Sequence, residues 1–225
     1  MERLKRSSTP LRMVIHVSAL QDALRQRRSI RRFRDQPVPE SLLLQVLDAG
    51  RWAPSAGNIQ PWRMILVSDP KVRAELLEAM TDYLKEEALS TGATEEEEAE
   101  ETARAALEPL PRAPVLVVAC MTKEIFGDRS ERWLSEHAMG VQSVAAAVQN
   151  MLLAAHDVGL GGCWCSAPLL CPTAVRRVLG IPQGVEPQAI IALGYPDEEP
   201  EPPRRRSLSE AVYLNRWRNE YSVAG

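Results

Sequence analysis

Apolar residues fall at Leu20, Ala23 and Leu24 behind Ser18, which is the spacing of one helical face with a hydroxyl at its N-cap. The stretch "SALQDALRQRRS" therefore predicts a helix that ends inside a run of arginines. The same spacing returns at Leu43, Val46, Leu47 and Ala49 in "PESLLLQVLDAGRWAP", with Gly50 and Pro54 as stop signals. "WRMILVSDP" is a short apolar run closed by a turn and reads as a buried strand, followed by a helix from about Pro70 to Ala88. "APVLVVACM" (Ala113 to Met121) is nearly continuously apolar and predicts a central strand. From Ser130 to Val158 small and apolar residues occupy nearly every side, as in a helix buried in a core or across a subunit interface, though too polar for a membrane. "GLGGCWCSAP" then predicts a glycine-rich turn into a strand, "PTAVRRVLG" a short helix, and "PQAIIALGYP" the last strong strand.

Two segments break this apolar rhythm. Thr94 to Glu108 contains "EEEEAEE", whose self-repulsion favours a solvated helix or mobile lobe. The tail "DEEPEPPRRRSLSEAVYLNRW" opens as a proline-rich connector and closes as a short amphipathic piece of the kind that reaches a partner. There is no internal repeat, and strands and helices do not alternate regularly enough for a doubly wound sheet. The expected class is α+β.

The chain has 225 residues, 45% of them hydrophobic, and a net charge of -3, which suits one compact domain with a real core. We expect that domain over residues 18–225, after a flexible arm at 1–17, with an acidic helical lobe near 83–110 and a C-terminal extension over 197–225. No apolar run approaches the roughly 20 residues that span a bilayer, and "LRMVIHV" is too short for a signal peptide. A cytoplasmic protein that binds neither membrane nor nucleic acid is expected. The four cysteines lie in apolar surroundings without a C-x-x-C spacing, and the three histidines lack partners at ligand spacing. Buried thiols and no metal site are the expectation.

The candidate chemistry begins with "RQRRSIRRFRDQPV", in which six arginines fall within ten residues of a slightly acidic chain. Guanidinium groups beside a serine hydroxyl and a turn rich in backbone N–H groups suit a dianionic phosphate, against the plainer alternative of a solvated basic face. A second triplet, Arg204 to Arg206, could join them if the fold brings the two together. In "PSAGNIQPW" small side chains allow a flat ligand to approach the backbone, and Asn58 could donate and accept at a heteroaromatic edge. Alone it could be an ordinary loop.

Taken in order, "RRSIRRF", "PSAGNIQPW", "GLGGCW" and "ALGYP" followed by a basic proline-rich tail resemble the FMN-dependent nitroreductase family, over about Leu20 to Trp217. The resemblance implies a nitroreductase-like fold: a central mixed, mostly antiparallel sheet flanked by helices, in an intertwined homodimer with FMN at the interface. It implies that Arg27 and Ser29 grip the FMN phosphate with Arg28 alongside, and that Arg31 lies near the N1/C2 edge of the flavin, where a cation stabilises the anionic reduced ring. Pro54, Ser55, Ala56 and Asn58 would come from the opposite subunit, with Gln60, Pro61 and Trp62 shaping that loop. Backbone groups of Trp164, Cys165 and Ser166 would face the ring, with an N–H near Ser166 bonding flavin N5. Arg204 and Arg206 would complete the phosphate site, in a register open by one residue.

Arg32 and Arg34 take no role from the resemblance and read as solvated surface. Many members have a glycine or an acidic residue where Ser166 falls, a departure that bears on access to the ring. Cys163 and Cys165 beside the ring read as packing, with a redox-sensitive thiol as the alternative.

The implied activity is an exchange in which NAD(P)H passes hydride to flavin N5 and leaves, and an oxidised acceptor such as a nitroaromatic or quinone then takes its place. That is a ping-pong scheme needing no side-chain base. "RAELLEAMTDYL", "RAPVLVV" and "VEPQAIIALGY" are also similar to the nitroreductase-like domain of deazaflavin-coenzyme biosynthesis enzymes, in which a dehydro precursor is reduced. Alternatives of another class are a flavin-binding protein without turnover and a homologue that consumes its own flavin.

Overall fold

A computed structural model describes residues 19–90, 92, 95–123 and 132–220, so the expected N-terminal arm lies outside the described residues. At its centre β1 (Trp62–Val67), β2 (Val115–Thr122), β3 (Gly161–Cys165) and β4 (Val185–Gly194) form a four-stranded sheet in the order β1-β2-β4-β3. Every named strand pair is antiparallel. The parallel element is a single bridge from Ser29 to Gly162, at the free edge of β3.

All of β2 is buried, because its nearly continuous apolar run has a helical layer on each side. Strand alternation sends Val115, Val117, Ala119 and Met121 to one face and Leu116, Val118 and Cys120 to the other. The first face is covered by α2 (Glu40–Arg51) and α5 (Trp133–Asp157), through Leu43, Val46, Val144, Val148 and Met151. The second is covered by α3 (Pro70–Ser90), α4 (Glu96–Ala106) and α6 (Pro172–Leu179), through Leu76, Met80, Ala103 and Val175. α1 (Ala19–Gln26) and α7 (Leu208–Ala211) contain no buried residue.

Two expectations need correction. α5 was expected to be too polar for a membrane, yet its length and mean hydropathy of 1.3 would suffice for one. Its buried residues, among them Val144, Val148 and Met151, instead cover the sheet. The acidic segment, expected as a solvated helix or mobile lobe, forms a helix with one buried side over its described residues. Ala99 and Ala103, four apart on α4, face inward and are buried. Lys85 of α3 meets Glu96 at 2.8 Å and Glu100 at 3.5 Å across the contact with α4, while Arg104 meets Glu100 at 2.5 Å within α4. Glu96 and Glu100 lie on the same side of α4 as Ala99 and Ala103, so the buried alanines and the Lys85 ion pairs together seat the block against α3.

The arginine run forms an extended segment along the ends of β3 and β4. The Ile30 N–H donates to the Gly162 carbonyl at 3.1 Å, the Arg34 N–H to Tyr195 at 2.9 Å, and the Asp197 N–H to Arg32 at 3.0 Å. Ile30 and Phe33 turn inward and are buried, leaving Arg31, Arg32 and Arg34 exposed. The approach depends on missing side chains. A Cβ on Gly161 would lie 2.8 Å from Ile30 Cβ, and one on Gly194 would lie 2.9 Å from Phe33 Cδ1.

Candidate functional site

The Ser29–Gly162 bridge brings the arginine segment to β3, and a cleft of about 480 Å³ opens beyond it. Its walls include Arg31, Glu108, Cys163, Trp164, Cys165 and Ser166. Thus Arg31 and the "GCWCSA" turn, more than 130 residues apart in the chain, share one cavity. Alternation along β3 buries Cys163 and Cys165 and leaves Trp164 38% exposed. Ser166 is exposed at the start of a short turn of 3₁₀ helix, Ala167–Leu169, and its carbonyl accepts the Leu169 N–H at 3.0 Å.

Arg27, Arg28 and Ser29 are half-buried beside this cleft. The Arg27 guanidinium pKa is lowered from its ordinary value, first by burial and then by the nearby charges of Arg205 and Arg28. Within the C-terminal triplet, Arg205 is therefore the residue whose charge reaches Arg27. The expected pair was Arg204 and Arg206, in a register open by one residue; all three arginines of the triplet are exposed. Arg28 donates from Nη1 to the carbonyls of Arg25 at 2.6 Å and Arg27 at 3.0 Å, but its Nε is buried without a hydrogen-bond partner.

Burial raises the pKa of all four thiols: Cys120 to about 11, Cys171 to about 12, and Cys163 and Cys165 in the same direction. None of the four is disulfide-bonded. Their packing is that of small apolar side chains.

The loop containing Pro54, Ser55, Ala56 and Asn58 is not part of this cleft. It leads into β1, at the opposite edge of the sheet from β3, a separation of three strand spacings or roughly 14 Å. Gly57, Asn58 and Gln60 have φ of 55°, 57° and 48°, the left-handed region that glycine and asparagine tolerate best. Ser55 holds the turn from inside, its Oγ accepting the Gln60 N–H at 3.0 Å and its carbonyl the Asn58 N–H at 3.0 Å. The Ala56 N–H donates to Ser143 Oγ at 3.3 Å, and Ser143 donates to the Met139 carbonyl at 2.7 Å. Pro61 and Trp62 are buried where the loop enters β1, and the Pro61 carbonyl accepts the Thr122 N–H at 2.8 Å.

Sequence reasoning missed two residues near these groups. Ser143, only 4% exposed, is a polar residue within the small, apolar middle of α5, and that contrast was the available signal. Glu198 accepts the Arg31 N–H at 2.5 Å and the Arg32 N–H at 2.9 Å, and pairs with Arg32 Nε at 3.3 Å. Arg32 is thus ion-paired rather than merely solvated. The acidic start of the tail, directly after the last strand, was the only hint of Glu198.

The fold and cleft define a class: an α+β protein whose extended arginine segment lies on the edge strand of its sheet, beside a cavity that Arg31 and Glu108 share with mostly apolar residues. Residues 24–195 match the nitroreductase family, and the chain belongs to that family of oxidoreductases. It is 34% identical over 201 residues to an NADH dehydrogenase of Thermus thermophilus, covering 86% of this chain and 93% of that one. A nitroreductase-type protein of Desulfovibrio desulfuricans, solved in complex with FMN, superimposes with a TM-score of 0.67 at 26% identity, covering 89% of this chain and 98% of the other. A BluB-like flavoprotein of Clostridium difficile shares the fold at a TM-score of 0.73 and 22% identity, over 88% of this chain and all of the other.

Proposed function

We propose that this protein is an FMN-dependent oxidoreductase that carries reducing equivalents from NAD(P)H to an oxidised acceptor such as a nitroaromatic or quinone. The observation that carries this reading is the group of cations next to the Ser29–Gly162 bridge. Arg27 is half-buried and feels both Arg28 and Arg205, and Arg28 Nε is buried without a partner. Like charges gathered in a partly desolvated place favour an anion, and guanidinium groups beside the Ser29 hydroxyl match the acceptors of a phosphate monoester. FMN fits this donor set, with its phosphate toward Arg27, Arg28, Ser29 and Arg205 and its ring toward Arg31.

Bound FMN would supply the redox chemistry, accepting hydride from NAD(P)H and passing electrons to the acceptor. The protein's part is to bind and orient. Arg31 sets a positive charge at the ring edge, and the backbone of Trp164, Cys165 and Ser166 offers hydrogen-bonding groups along the opposite wall. No side chain has to act as a base, and the relatives solved with FMN or named NADH dehydrogenase support the same cofactor and donor.

The position of the Pro54 to Asn58 loop supports a homodimer. At the far edge of its own sheet it lies away from this cleft, which is consistent with its lining the flavin of a second copy. Trp133, Leu134 and Met139 on α5 are exposed and would supply apolar contact area.

The test is an anaerobic visible spectrum of the purified protein loaded with FMN, before and after NADH or NADPH. Bleaching, followed by recovery when a nitroaromatic or quinone is added, is the expected result, with parallel double-reciprocal plots in steady state. A protein that takes up no FMN, or whose flavin neither nicotinamide reduces, overturns the reading.

A further inference from the structure

We propose that Glu198 is a positioning residue for Arg31, acting as a side-chain rung that continues the backbone ladder past its last peptide bond. The ladder between the arginine segment and the chain leaving β4 runs from Arg34 and Tyr195, through the Phe33–Pro196 bridge, to Asp197 and Arg32. Beyond Asp197 the chain turns into the proline-rich connector, and backbone pairing stops. The Glu198 carboxylate takes over there. Its Oε1 accepts the N–H groups of Arg31 and Arg32, and its Oε2 meets Arg32 Nε.

The consequence lies in direction. Arg31 and Arg32 are adjacent, exposed and chemically identical, yet only Arg31 is among the walls of the cleft that also holds Trp164 and Ser166. Fixing both peptide N–H groups on one carboxylate fixes the orientation of both residues, and the ion pair engages Arg32 on the Glu198 side. Arg31 is thereby left to the cleft. Charge-assisted bonds from backbone N–H to carboxylate are short and strong, and the Glu198 side chain is only 16% exposed, so solvent competes weakly for it. The remaining ladder bonds are backbone to backbone. Loss of Glu198 therefore frees the Arg31 peptide without releasing the segment.

The inference rests on the flavin reading, and a double-mutant cycle separates the two. FMN is titrated into the apo-protein and its dissociation constant measured for the wild type, Glu198→Ala, Arg31→Ala and the double variant. Glu198→Ala is expected to weaken FMN about tenfold in the wild-type background and less than about twofold in the Arg31→Ala background, because only an effect routed through Arg31 disappears with it. The same loss in both backgrounds means a general structural role and overturns the proposal, as does no loss at all. A wild type that binds no FMN overturns the flavin reading and this one with it.

If Glu198→Ala does not fold, Glu198→Met, which keeps the side-chain length but has no oxygen acceptor, decides the matter by amide hydrogen exchange in the apo-protein. Faster exchange at Arg31 and Arg32, with Ile30 and Arg34 unchanged, supports the rung. Unchanged exchange at all four positions overturns it.

Discussion

The Ile30 N–H reaches the Gly162 carbonyl at 3.1 Å, across the free edge of β3. That bond holds the arginine segment against the strand that lines the cleft, so phosphate-binding candidates and ring-facing candidates share one rigid edge. Sites built on such paired backbone keep their geometry better than sites on free loops.

Gly161 is the position where this edge is most easily spoiled. A methyl group there would sit 2.8 Å from both Cβ and Cγ1 of Ile30, close to the backbone rather than at a flexible tip. Gly161→Ala should destabilise the protein by about 2 kcal/mol in urea unfolding, as overpacking in a core does. Wild-type stability with wild-type FMN affinity would show that the segment moves aside freely.

The arginine triplet of the tail offers a test of register. Arg205, whose charge reaches Arg27, should matter more than its neighbours. Arg205→Ala is expected to weaken FMN binding about tenfold, an effect that added salt diminishes. Arg204→Ala and Arg206→Ala should each cost clearly less. A larger loss at Arg204 or Arg206 in the same titration would move the phosphate contact to that residue.

Stability in mild acid should depend on Glu186. Burial disfavours its ionisation, but hydrogen bonds from Lys123 and from His137 Nε2, the latter at 2.8 Å, win and hold the carboxyl below its ordinary 4.5. A depressed folded pKa contributes stability that is present above the unfolded value and lost as pH falls through the folded one. Thermal unfolding of the wild type should therefore show a fall that begins near pH 4.5 and continues below it. Glu186→Gln should flatten that part of the profile and lower stability at neutral pH, and an unaltered profile in the variant would refute the assignment.

The thiols should be inert in the folded protein. Burial raises all four pKa values, to about 11 for Cys120 and about 12 for Cys171, so little thiolate exists at pH 8. A disulfide reagent should label none of them promptly under native conditions and all four after denaturation. Rapid native labelling at Cys163 or Cys165 would revive the redox-sensitive alternative.

Much of the architecture was legible because it is local. Leu43 and Val46 mark a helical face, the run through Val115 to Met121 marks a strand covered on both sides, and the period of each pattern is set within a few residues. The phosphate candidates were legible for the same reason, since Arg27, Arg28 and Ser29 are neighbours in the chain. The acidic helix was only half legible: charge density announced Glu96 to Glu101, while the seating of Ala99 and Ala103 needed α3 as a partner.

By itself, then, the sequence determined the elements, the two-sided core and a candidate anion-binding segment, because periodicity and side-chain chemistry act over short range. The tertiary structure alone decided that the Arg205 charge acts on Arg27, that Glu198 secures the Arg31 peptide, and that the Pro54 to Asn58 loop lies at the far edge from β3. Those relations follow from sheet order and from where antiparallel strands end. Arg27 and Arg205, Arg31 and Glu198, and Ile30 and Gly162 are each more than 100 positions apart, and no local period encodes such relations.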